Sequence, residues 1–252
     1  MNSKRVPLIL IAIAFFISAI TACYFLFTVS EVRAEYSVSE EVSVDEINEK
    51  LNTLTGKSVI FFDKNEVYEI FNDYPLLKVA EIKIKSPNLL VLKIAQRIPF
   101  YKLEVDGQIY LLDDEGVATS MGQGDYTDRD LINLKLDGVT VTEDIALGKK
   151  TVTSNDKIFY NALAMAKEVD LTDSIKEITV NYLMAGENRD VIFSTYTGVD
   201  VTITKADEKG VEKVKKAFDS YDACTTDYIK SFNRILVVML DSGEIKVTWT
   251  KN

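Results

Sequence analysis

Apolar positions follow three regimes along the chain. The first is continuous. Val6–Val29 carries no charge, and Ser18 and Thr21 are the clear polar breaks in its interior, with Thr28 next to its end. As a helix those 24 residues span ~36 Å, enough for the ~30 Å hydrocarbon core of a bilayer. Lys4 and Arg5 precede the run, and Glu31, Arg33 and Glu35 follow it. The pattern predicts a single N-terminal transmembrane helix over 6–29, a cytoplasmic tail over 1–5 and the bulk of the chain outside. Ile20-Thr21-Ala22-Cys23 leaves an alternative, a lipoprotein lipidated at Cys23, although Tyr24-Phe25-Leu26-Phe27 keeps the segment apolar beyond it. A cleaved signal peptide has a shorter apolar core than this.

The second regime is helical and then alternating. Residues 30–41 read as a linker. Ser43 and Glu46 match a capping box, with Val44, Ile47, Leu51 and Leu54 at helical spacing and Gly56 placed to end the helix. A second helix starts at Asp63, with Val67, Ile70 and Phe71 on its apolar side and Tyr74-Pro75 as its stop. Ala80, Ile82 and Ile84 then alternate with Glu81, Lys83 and Lys85, which predicts a strand with those three buried. Ser86-Pro87-Asn88 turns the chain into a return strand over Leu89–Ala95.

The third regime is mostly of period two. Asp106-Gly107 joins Tyr101–Val105 to Gln108–Leu112 as a hairpin. Met121–Asp130 reads as a polar loop. Helices are predicted near Asn155–Val169 and Asp207–Tyr221. Strands are predicted near Ile175–Tyr182, Val191–Thr195, Val199–Thr204, Ile235–Leu240 and Glu244–Thr250. No sequence repeat stands out.

Composition narrows the chemistry. The net charge of −10 becomes −12 once Lys4, Arg5, Arg33 and Glu31 are set aside, which disfavours nucleic acid and other polyanions as partners. The chain has no histidine, the commonest general base and metal ligand. Cys23 and Cys224 are too differently placed to pair. Gly56-Lys57-Ser58 lacks the upstream glycine of a phosphate loop, since Leu51 stands there. Ser154-Asn155-Asp156-Lys157 has no Lys-Thr-Gly companion and reads as a helix cap. Asp113-Asp114-Glu115 reads as a solvated turn. The expectation is therefore a non-enzymatic chain with no catalytic residues, metal, cofactor or small-molecule substrate.

One set of residues carries a family resemblance. Gln96-Arg97-Ile98-Pro99 follows the return strand, and Tyr110-Leu111-Leu112-Asp113-Asp114-Glu115-Gly116 closes the next hairpin. Leu240-Asp241-Ser242-Gly243 then runs to Trp249 near the end. An apolar anchor followed by this layout resembles the bacterial cell-division family FtsQ/DivIB. The resemblance implies an α+β fold: the transmembrane helix, a POTRA-type docking module over 42–96, and a β-rich domain with helices over 97–252. Gln96 stands where the family has an acid, Glu40-Glu41-Val42 stands where it has glycine-asparagine, and the leading tail is short. It further implies a scaffold at the division septum that binds FtsB/DivIC- and FtsL-type partners and helps control septal wall synthesis. The candidate partner-binding residues are Leu240, Ser242, Gly243, Ile245, Val247 and Trp249. An extracytoplasmic binding module with another ligand, or a wall hydrolase with an unrecognised site, are the readings from other classes.

Overall fold

The computed structural model describes residues 5–38, 43–85, 88–122, 131–169, 174–182, 189–224, 228 and 231–251. The chain divides after Arg97 into two compact units.

The first unit opens with α1 (Arg5–Leu26) and continues through β1 (Glu31–Ser37), α2 (Val44–Asn52), α3 (Asn65–Phe71), β2 (Leu77–Lys85) and β3 (Leu89–Gln96). Among the described residues no helix is long and apolar enough to cross a membrane, so the transmembrane helix expected over 6–29 is corrected. The apolar run does not stay one element. Helix ends at Leu26, and the last residues join the first unit. The Val59 amide donates to the Phe27 carbonyl at 2.7 Å, Thr28 bridges Ser58, and Val29 is buried in the core. The side chain of Cys23 lies outside the described residues.

The segment expected as a linker is also corrected: Glu31–Ser37 is a strand, paired in parallel with β3. Its side chains alternate, with Val32, Ala34 and Tyr36 against the core and the charged residues between them outward. The three strands lie in the order β1-β3-β2. On β2 the core-facing positions are Leu77, which is buried, and Val79 and Ile82, which are half-buried; of the expected Ala80, Ile82 and Ile84 only Ile82 faces the core, and Ala80 and Ile84 are exposed. A bulge between Val79 and Glu81 shifts the phase by one residue, which moves every later side chain to the other face. Ile47, Leu51, Leu54, Val67 and Phe71 fill the core between helices and sheet. The capping box does not form: Ser43 makes no side-chain cap, and Glu46 instead accepts from the Tyr74 hydroxyl and faces Lys50. Gly56 takes a positive φ of 87° and its amide donates to the Val29 carbonyl.

The second unit is one nine-stranded sheet in the order β12-β11-β10-β9-β8-β7-β4-β5-β6. Its strands are β4 (Tyr101–Val105), β5 (Gln108–Leu112), β6 (Ala118–Met121), β7 (Ile132–Asp137), β8 (Ile175–Tyr182), β9 (Arg189–Thr195), β10 (Asp200–Ile203), β11 (Arg234–Met239) and β12 (Ile245–Thr250). Two 13-residue helices, α4 (Asp156–Glu168) and α5 (Gly210–Asp222), share a single core with the sheet. The topology contains a duplication that the sequence hides. β7-α4-β8-β9 and β10-α5-β11-β12 each run strand, helix, parallel strand, antiparallel strand. Parallel neighbours need a crossover connection, and each helix supplies one. The helices meet closely at Gly210, where a Cβ would lie 2.8 Å from the Met165 Sδ.

Candidate partner-binding edge

A sheet ends in two strands whose outer backbone is not paired within it, and those edges are where a second chain can add. Here the edges are β6 and β12. The candidate residues all fall on β12 or on the turn that leads into it.

The turn is built by Leu240-Asp241-Ser242-Gly243. The Gly243 amide donates to the Leu240 carbonyl at 2.8 Å, and the Leu240 amide donates to the Glu244 carbonyl at 2.8 Å. Gly243 sits at φ 82° with open space around its Cβ position, so the left-handed backbone, not crowding, is what asks for glycine. The Ser242 hydroxyl accepts from the Glu244 amide at 3.4 Å. Leu240 is exposed beside this turn.

This turn sets the register of the strand after it. Met239 lies opposite Ile245, Val237 opposite Val247 and Ile235 opposite Trp249. Hydrogen-bonded and non-hydrogen-bonded pairs alternate in an antiparallel ladder. Leu240 and Glu244 form a bonded pair, so the amides of Lys246, Thr248 and Thr250 point toward β11. The amides of Ile245, Val247 and Trp249 point outward. Their side chains face the core: Ile245 is buried, and Val247 and Trp249 pack against the cluster. Side chains therefore anchor the strand while the same residues' backbone groups face outward.

Trp249 is held on two sides. Its indole nitrogen donates to the Ser220 hydroxyl of α5 at 3.0 Å, and its ring meets Tyr228 edge to face at 5.2 Å. α5 is fixed in turn by Lys213, a fully buried lysine whose ammonium donates to the carbonyls of Thr204 and Lys205. Burial lowers the pKa of this ammonium, against the opposing pull of Glu208 and Asp207. Arg189 clamps the same turn through Asp207 at 2.6 Å and Glu208 at 3.3 Å. Lysine at a buried position gives no apolar signal, so the sequence pattern did not single out Lys213.

The other motifs resolve structurally. Ser154 accepts from the Thr140 amide and Lys157 faces Asp207, while Asn155 caps α4 by accepting from the Ile158 amide. Lys57 pairs with Glu66 at 2.5 Å. Asp113 is fully buried rather than solvated: one carboxylate oxygen accepts from the Glu115 and Val117 amides, both at 2.9 Å. Gly116 follows at φ 74°, and a Cβ there would lie 2.8 Å from the Leu163 Cδ1 of α4. Among the described residues no group of histidine, cysteine, aspartate or glutamate could hold a metal ion.

No protein-family model matches the chain. It is similar to the cell division protein DivIB of Clostridium tetani (strain Massachusetts / E88), with 26% identity over 209 residues, covering 79% of this chain and 72% of that protein.

Proposed function

We propose a function that starts from kinship: the chain is a distant member of the FtsQ/DivIB family, as its likeness to the clostridial DivIB supports, and it is a cell-division protein. Within that role we assign it a non-catalytic, scaffolding part at the division septum. It binds FtsB/DivIC- and FtsL-type division proteins and through them regulates septal peptidoglycan synthesis.

The observation that carries this reading is the outer backbone of β12. Ile245, Val247 and Trp249 turn their amides outward while their side chains are anchored inward. An extended partner segment laid alongside would gain main-chain hydrogen bonds without any rearrangement of this strand. The chain's net charge of −10 favours a partner segment with basic flanks.

Calorimetry with a division-partner ectodomain tests the reading. Val247→Pro removes one outward amide and is expected to weaken binding by at least ~10-fold, or about 1.4 kcal/mol, while the variant stays folded. A folded Val247→Pro variant that binds at full strength rules out this edge. A fluorescent fusion spread evenly over the envelope, instead of gathered at the septum, contradicts the septal role itself.

A further inference from the structure

The connection from α2 to α3 presents two large apolar side chains to the outside. Ile60 is 62% exposed and Phe61 85% exposed, whereas Val59 and Phe62 on either side pack against the core of the first unit. The tip is thus held from both ends with its most apolar residues outward. A pair of exposed apolar side chains in a firmly seated loop is a contact surface in search of a neighbour.

The surroundings say which neighbour. The same connection is tied by backbone to the end of α1, through the Val59 amide on the Phe27 carbonyl and the Thr28–Ser58 bridge. Phe27 is itself exposed. On α1 every residue from Ile13 to Ala22 is exposed, and only Ser18 and Thr21 of these ten are polar; ten successive residues at 3.6 per turn cover the whole circumference of the helix. A protein partner covers one stripe of a helix. A surface apolar on nearly every side is matched by lipid.

We propose that Ile60 and Phe61 form a lipid-contact wedge that seats the first unit on a bilayer surface beside the end of α1. The wedge needs contact with acyl chains and nothing more of α1 than its apolar surface. It shares no residue with the β12 edge, so either can fail without the other.

The test uses the full chain in phosphatidylcholine vesicles with brominated acyl chains. Trp249 is the chain's single tryptophan and sets the baseline. Phe61→Trp adds a reporter at the tip, and Lys64→Trp adds one at an exposed position three residues on. The tip reporter should shift to the blue and lose about half or more of its emission to the bromolipid, as a group held ~5–10 Å into the acyl boundary does. The Lys64 reporter should stay accessible to acrylamide. Acrylamide quenching at position 61, equal bromolipid quenching of both reporters, or a blue-shifted tip that bromolipid does not quench each overturns the wedge. The last of these packs the tip against protein, within the chain or in a second copy of it.

Discussion

The two edges of the nine-stranded sheet are built in opposite ways. β6 has four residues, meets β5 through a bulge between Leu111 and Leu112, and has the start of its outer side occupied at Ala118. The Ala118 amide donates to the Lys149 carbonyl, the Gly148 amide donates to the Ala118 carbonyl, and Val117 bridges Lys150. β12 has six residues in unbroken register with β11, and among the described residues it is the last strand on its side. Short length, a bulge and a covering segment are how proteins blunt an edge against unwanted pairing. One edge of this sheet carries all three and the other carries none. That difference, more than any single side chain, is why β12 is the edge assigned to a partner.

The largest expected effect lies outside the sheet and asks whether the comparison belongs to the second unit alone. Leu51→Ala opens a cavity at a residue 1% exposed in the core of the first unit, and it should cost about 2–5 kcal/mol. Partner affinity measured below the variant's melting transition should hold. A parallel loss of affinity would move the interface away from β12.

Next in size is a pair of proline substitutions on adjacent residues. Lys246→Pro deletes an amide that faces β11 and leaves a carbonyl of the ladder unpaired, at about 1–3 kcal/mol. Val247→Pro deletes an outward amide and should change stability by less than about 1 kcal/mol, as proline on the open side of an edge strand does. Chemical denaturation of the two variants reads the backbone direction. Equal losses, or the reverse order, would show that the register has been read one residue out.

Trp249→Phe removes the hydrogen bond to Ser220 and keeps an aromatic ring, so it should cost about 0.5–1.5 kcal/mol. Partner binding should fall little, because the backbone amide remains. The smallest effect is a pH slope. Lys213 has its pKa lowered by burial, so the unfolded chain holds the proton that the folded chain has released. Stability should therefore rise with pH between that lowered value and the ordinary lysine value of about 10.4, by at most ~1.36 kcal/mol per pH unit. Lys213→Met should flatten this slope in thermal melts taken across the window.

Much of the second unit was legible because its elements carry strong periods. α4 buries Ile158, Phe159, Ala162, Leu163 and Ala166 at helical spacing, and the hairpin turn at Asp106-Gly107 takes the positive φ at both residues that this dipeptide favours. β7 was overlooked, although Ile132, Leu134 and Leu136 alternate with Asn133, Lys135 and Asp137. β1 was overlooked for a different reason. Its charged residues fill the outward positions, and the inward set of Val32, Ala34 and Tyr36 gains its meaning only once β3 is known to lie beside it. The β2 phase could not be read from alternation, because a bulge is a property of the pairing and leaves no period of its own. Asp113 shows the limit from the polar side. A run of three acids reads as solvated, but one carboxylate folded back on two amides is satisfied without water. The edge residues themselves were found by resemblance; the direction of their amides required the register.

Site-resolved amide hydrogen exchange tests the central claim most directly. In the free protein the amides of Lys246 and Thr248 should be slow, because they lie in the β11 ladder, and those of Ile245, Val247 and Trp249 should be fast. Adding the partner ectodomain should slow Ile245, Val247 and Trp249 and leave β6 unchanged. Binding without new protection at those three amides, or with protection along Ala118–Met121 instead, would contradict the assignment of β12.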